Sequence, residues 1–180
     1  MKALFTCIFI AFFTAAAAWA QTPPQNAPKS ERPSRIIGIR GGGNIANITG
    51  YDLAFGYHAG VFVDMLPGKS AGYGLEINYS RQGGTIENTS IVANYLVIPV
   101  LFNLYGSEVA FQVGPYAAPL LNARRKKSNY NYTNSMSGLD YGVAIGLKRS
   151  YGEVGVGVRY YQGLEKPNNR NLQISLRINL

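Results

Sequence analysis

The sequence contains one cysteine, Cys7, and it sits in the first apolar run. If that run is removed, the chain has no thiol, which excludes disulfides, cysteine nucleophiles and thiolate metal sites. Histidine also occurs once, at His58. A single imidazole without thiols leaves carboxylates as the only other metal ligands, and no cluster has metal-ligand spacing, so no metal or cofactor is expected. Charged residues make up only 14% of the chain, and they are unequal in sign, with 17 Lys and Arg against 9 Asp and Glu. Beyond Ala20 no apolar run approaches the roughly 20 residues of a membrane-spanning helix, and no segment shows amphipathic-helix periodicity. Strands are left to build the fold.

The front end has its own grammar. Met1 to Ala20 opens with Lys2, runs through the apolar Ala3–Ala18 stretch and closes on Ala18-Trp19-Ala20. A positive start, a short apolar centre and a small-x-small exit predict a signal peptide, residues 1–20, cleaved after Ala20. Cys7 lies too early in the run for a lipoprotein cleavage site. Residues 21–34 carry Pro23, Pro24, Pro28 and Pro33 and almost nothing apolar. They are expected to form a flexible periplasmic lead. Residues 35–180 are the size of one domain. The formal charge of +8 becomes +7 without Lys2. On an exported chain that balance points to lipid phosphate or sugar-linked carboxylate, and away from nucleic acid.

What fills the domain is a period of two. Leu172, Ile174, Leu176, Ile178 and Leu180 alternate with Gln173, Ser175, Arg177 and Asn179, so one face of a strand is aliphatic and the other polar. The same rhythm predicts eight strands: Arg35–Asn44, Leu53–Leu66, Tyr73–Gln82, Ile91–Tyr105, Val109–Leu121, Leu139–Lys148, Glu153–Tyr161 and Leu172–Leu180. Pro115 and Pro119 predict a bulge or weakening toward the far end of the fifth. The second face of the fourth strand (Tyr95, Val97, Pro99, Leu101, Asn103) is unusually apolar.

Eight strands joined by hairpin-length links make an up-and-down antiparallel sheet, which loses its edges by closing. Three features predict that the apolar face points outward. The opposite face carries Arg40, His58, Glu76, Arg159 and Arg177, charges that an apolar core tolerates poorly. That face is also rich in Gly and Ala, as a narrow lumen filled by its own side chains requires. The links after strands two, four and six read as short, and those after one, three, five and seven as longer. Tyr57, Tyr79, Tyr141 and Tyr160 near one end, with Tyr73 near the other, suggest aromatic girdles. The expected fold is all-β: an eight-stranded antiparallel transmembrane β-barrel in a cell outer membrane, its N-terminus periplasmic.

At this level of detail the chain resembles the PorT-type outer-membrane barrel family. The resemblance is carried by Gly38–Asn44 (Gly-Ile-Arg-Gly-Gly-Gly-Asn), Tyr57–Phe62 (Tyr-His-Ala-Gly-Val-Phe), Leu75–Gly84, Asn94–Leu101, Gly114-Pro115-Tyr116 and Gly157-Val158-Arg159-Tyr160. It covers Arg35 to Leu180. It implies an eight-stranded barrel in a Gram-negative envelope, most relatives having no assigned activity and the namesake being tied to protein secretion. Leu180 departs from the aromatic ending common in outer-membrane proteins, which bears on recognition by the insertion machinery during assembly.

Four residues are expected to form a charge network in the lumen: Arg40, Glu76, Arg159 and Arg177. Tyr161, Gln173 and Ser175 have the parity to supply further acceptors. His58, Glu76 and Ser80 are the residue types of a hydrolytic triad, but they point into a packed lumen and not toward lipid, so no catalytic residue is assigned. The run Arg124, Arg125, Lys126 and Lys127, with Tyr130 and Tyr132, is the candidate contact for outer-membrane lipid, lipopolysaccharide or an envelope protein. The expected function is a non-catalytic structural, anchoring or binding component, with a lipid hydrolase and a narrow pore as the alternatives.

Overall fold

A computed structural model describes residues 35–48, 52–66, 70–86, 89–125, 138–164 and 169–180. The proposed signal peptide and periplasmic lead lie outside the described residues, as do Lys126, Lys127, Tyr130 and Tyr132. The strands are β1 (Arg35–Ile48), β2 (Asp52–Met65), β3 (Ala71–Ile86), β4 (Thr89–Tyr105), β5 (Val109–Arg125), β6 (Leu139–Tyr151), β7 (Val154–Gly163) and β8 (Asn169–Asn179). Each pairs antiparallel with the next, and β1 pairs with β8, closing the barrel. Closure leaves no open sheet edge.

Alternation sets the faces. On β8, Leu172, Ile174, Leu176 and Ile178 look outward, while Asn171, Gln173, Ser175 and Arg177 are buried. On β7, Val154, Val156, Val158 and Tyr160 are exposed and Arg159 and Tyr161 are buried. An exterior of exposed Leu, Ile and Val around buried Arg, Glu and Asn reverses the arrangement of a soluble barrel. It suits lipid outside and polar side chains within. Tyr57 and Tyr79 meet in a tilted contact at 6.2 Å on β2 and β3, and Tyr73 meets Phe102 at 5.7 Å nearer the ends that carry residues 35 and 180. These are two levels of outward aromatic residues, as a lipid boundary on each side demands.

The strands run further than the hydropathy pattern predicts. β1 continues to Ile48, β3 to Ile86 and β5 to Arg125, and β8 begins at Asn169. The expected contrast in link length holds only in part: the links after β5 (126–138) and β7 (164–168) are longer than those after β4 and β6, but β3 ends at Ile86 and β4 starts at Thr89, whereas β2 and β3 are separated by 66–70. The physical reason is that alternation reports lipid contact. Past the tyrosines the outer face mixes apolar Leu53 and Phe55 with polar Arg81 and Asn94, so the strict alternation fades. The backbone still needs its hydrogen bonds, and the ladder continues without the sequence signal. The bulge foreseen on β5 is present: Asn94 pairs with Asn122 and Tyr95 with Leu120, leaving Leu121 unmatched.

Two glycines are dictated by geometry. Gly152 has φ of 64° in the β6–β7 turn, a conformation open to glycine at little cost. A Cβ at Gly142 would overlap the carbonyl oxygen of Gln162 and stand 2.9 Å from the Tyr116 ring. Gly142 therefore makes the space that an inward tyrosine occupies on β5.

Candidate functional site

The lumen is filled in two unlike ways. Toward the end carrying residues 35 and 180 lies a charge network. Its centre is Glu76 on β3, 1% exposed. Arg159 donates from Nη1 to Oε2 at 2.6 Å and from Nη2 to Oε1 at 3.0 Å, and Arg177 donates to Oε1 at 3.0 Å. Arg40 also donates to Oε2, and Asn78 adds a bond at 3.1 Å. The four residues singled out by parity are thus in mutual contact. Closure of the barrel makes this possible, since Arg40 and Arg177 face each other across the β1–β8 pairing.

The three acceptors expected from parity are also used. Arg159 donates to the Tyr161 hydroxyl at 3.0 Å, and Arg40 donates to Gln173 Oε1 at 3.3 Å and to the Ser175 hydroxyl. The sequence reading missed Asp64, Gln112 and Lys148. Arg177 donates to Asp64 at 2.8 Å, Lys148 donates to the same carboxylate oxygen at 2.6 Å, and Arg159 donates to Gln112 at 2.7 Å. The signal was present, because all three residues have inward parity on their strands. The Arg177 guanidinium also lies 3.6 Å from the centre of the Phe62 ring, a cation–π contact away from water. The space between Arg40, Gln112, Arg159, Ser175 and Arg177 admits no water molecule.

Nearer the other end, β4 to β7 line the lumen with Ala93, Tyr95, Val97, Tyr116, Ala118, Ala123, Ala144 and Tyr161, all buried; Leu101, of the same apolar cluster, lies level with Asp64 at the edge of the charge network. Tyr116 and Tyr161 meet edge to face at 5.1 Å. Alanines opposite the rings let large and small side chains interlock. A chain of hydrogen bonds crosses from this wall. The Tyr116 hydroxyl donates to Asp140 at 3.1 Å, and Asn169 donates to Asp140 at 3.2 Å and to Gln82 at 2.6 Å. Gln82 then donates to Ser80 at 3.1 Å.

The triad types do not assemble. Nε2 of His58 lies 3.0 Å from the Ser175 hydroxyl; Ser80, its neighbour across the β2–β3 pairing, has a hydroxyl that accepts instead from Asn44 at 3.2 Å and from Gln82. Glu76 is committed to arginines. His58 and Ser175 are 2% and 4% exposed, so neither is presented to lipid.

Residues 19–167 match the family model described as outer membrane protein beta-barrel domain. The chain belongs to that family. No curated protein matches the sequence. Among solved structures it is similar to Neisserial surface protein A, with a TM-score of 0.54 and 12% identity over 82% of this chain and 98% of that one. It is also similar to Ail, the attachment invasion locus protein of Yersinia pestis, in complex with the heparin analogue sucrose octasulfate. There the TM-score is 0.52 and the identity 11%, over 81% of this chain and 97% of that one. At such identities the likeness shows the fold alone: a small outer-membrane barrel.

On the exterior of this outer-membrane barrel, a polar row follows the aromatic level. Arg81 lies 5.9 Å from the centre of the Tyr57 ring. The Tyr79 hydroxyl donates to Asn94 at 2.8 Å, and Asn94 donates to Asn122 at 2.6 Å. Arg124 and Arg125 are not in a loop, as expected, but are the last residues of β5, paired with Val92 and Ile91. Arg124 is exposed, next to the fully buried Ala123 that faces inward.

Proposed function

We propose that this chain is a non-catalytic outer-membrane barrel, closed to solutes, that works as an anchoring or binding component at the envelope surface. The observation that carries the reading is the engagement of its buried acids and bases with one another. Glu76 and Asp64 are held by arginines and Lys148, and the gap beside them, between Arg40, Arg159 and Arg177, has no room for water. Such a lumen presents no reactive group to a substrate and no path to an ion. Binding then falls to the exterior. The polar row from Arg81 to Asn122, with exposed Arg124 beyond it and the basic run Arg125, Lys126 and Lys127 following in sequence, suits anionic outer-membrane lipid, lipopolysaccharide above all. The N-terminus lies on the periplasmic side in this reading, so the row is next to the outer leaflet. The resemblance to PorT-type barrels adds an envelope protein of the secretion apparatus as a partner to be sought.

Binding of the purified barrel to lipopolysaccharide-containing vesicles tests the surface role. Replacing Arg124, Arg125, Lys126 and Lys127 with serine should weaken it markedly while leaving neutral vesicles unaffected. Unchanged binding would remove the basic run from the account. Cross-linking in intact cells tests for the protein partner. The hydrolase alternative predicts a lipid profile that changes with the gene and reverts in His58→Ala; the proposal predicts the same profile in all three strains.

A further inference from the structure

We propose that the seam between β4 and β5 is a lateral gate to the bilayer, into which an acyl chain of lipopolysaccharide wedges. The ladder supplies the first reason. β4 pairs with β5 at Tyr95 with Leu120, Ile98 with Ala117, Pro99 with Tyr116 and Phe102 with Val113, and the pairing lapses between these points. In the same register Leu96 stands opposite Pro119, and Val100 opposite Pro115. A proline nitrogen has no hydrogen to donate. The pairing of β5 with β6 runs unbroken from Val109 to Pro119, so both proline nitrogens are turned toward β4. The other side of β4 is cut as well: its pairing with β3 lapses at Glu76 and Ile77, opposite Pro99 and Ile98. Three ladder bonds are missing around one short stretch of β4, in a wall where hydrocarbon offers no replacement donor.

The second reason is the lining, which is independent of the ladder. Parting two strands of a barrel shows their inward side chains to lipid. At this seam those are Tyr95, Val97, Leu101, Tyr116 and Ala118, all buried and apolar. Each of the other six strands buries a charge: Arg40 on β1, Asp64 on β2, Glu76 on β3, Lys148 on β6, Arg159 on β7 and Arg177 on β8. Opening any other pairing would bring at least one of these to hydrocarbon. The pairing weakest in hydrogen bonds is therefore also the one whose opening offends lipid least.

The window has defined ends. On the outer face Asn94 donates to Asn122 at 2.6 Å, past the end of the seam that carries Tyr95. Inside the lumen Gln112 donates to Asn103 at 2.7 Å, past the end that carries Phe102. Between these clasps the window follows strands that cross the membrane, so it is elongated as an acyl chain is. In the closed wall Tyr95 and Tyr116 fill the space behind it, and a chain enters only as the strands part. The first clasp belongs to the polar row assigned to lipopolysaccharide, so the choice of lipid rests on that surface reading. The axis of the lumen stays closed, because Glu76 and its arginines stand on other strands.

The test uses the chain from Gln21 onward, which has neither tryptophan nor cysteine, since Trp19 and Cys7 precede it. The barrel is refolded into vesicles of phosphatidylcholine brominated on its acyl chains, which quench tryptophan on contact. Tyr116→Trp puts one reporter behind the seam, and Ile98→Cys with Ala117→Cys puts a disulfide across it. The expected quenching is about twofold greater in the reduced barrel than in the oxidised one. Pro115→Ala with Pro119→Ala returns both donors and should bring the reduced barrel down to the oxidised level. Lipopolysaccharide, whose chains carry no bromine, should displace the quencher when added to the vesicles. Equal quenching in the reduced and oxidised barrels would overturn the gate, as would a reduced barrel indifferent to the two alanines. Quenching that lipopolysaccharide leaves unchanged would overturn that occupant and the surface reading with it, while the gate stood. If Tyr116→Trp does not fold, Tyr95→Trp reports from the facing strand with the same expected and contrary results.

Discussion

The two halves of the lumen solve one packing problem with opposite chemistry. Around Glu76 the interior is closed by ions whose positions are fixed by one another: five hydrogen bonds converge on one carboxylate, and Arg177 spans from Glu76 to Asp64. Around Tyr116 it is closed by ring faces, alanine methyls and Val97, which are interchangeable within limits of volume. The difference teaches that a filled lumen is not one property. In the charged half each group is needed because its partner cannot be left alone in a low-dielectric interior. In the apolar half each group is needed only for the space it fills.

Substitutions can break or sharpen this contrast. Glu76→Ala should have the largest effect, since it strands three arginines; a loss of about 3–5 kcal/mol is expected from the unfolding midpoint in urea. A loss no greater than that of a surface change would erase the distinction. Tyr95→Ala leaves a void in the apolar half and should cost about 3 kcal/mol by the same measurement. The halves should then separate under conservative replacement. Arg177→Lys keeps the charge but cannot reach Glu76 and Asp64 together, and should cost about 2 kcal/mol. Tyr95→Phe keeps the ring and should cost about 1 kcal/mol. Equal costs would mean that the ion network is as tolerant as the apolar wall. The smallest effect is expected outside the lumen: Arg124→Ser should shift stability by no more than about 0.5 kcal/mol, read from the gel-shift midpoint, whatever it does to lipid binding.

Much of the fold was legible because lipid imposes a strict period of two. Ile174 and Leu176 could not face inward without sending Gln173 and Ser175 into hydrocarbon, so faces, strand number and closure followed. The strand ends were not legible. Gly83 to Ile86 reads as a polar loop because nothing apolar is required of it above the tyrosines, yet its backbone pairs with Thr89 to Val92. The charge network was legible in its arginines and Glu76, whose inward parity is unusual for such residues. Asp64 and Lys148 were passed over because each sits close to a turn, where a charge ordinarily faces water. Barrel tilt instead brings them together across strands distant in sequence, where Lys148 and Arg177 share the Asp64 carboxylate. His58 illustrates the opposite limit: its residue type suggested chemistry with Ser80, and its position gave it Ser175.

The central claim is that the two fillings together close the barrel, and planar-bilayer recording of the mature protein tests it most directly. The account predicts a flat baseline for the parent at any moderate voltage, with intermittent openings in Glu76→Ala as the arginines lose the carboxylate that gathers them. A steady, ohmic conductance from the parent would contradict it, because ions would then be crossing a lumen filled at the level of Glu76 by Arg40, Arg159 and Arg177.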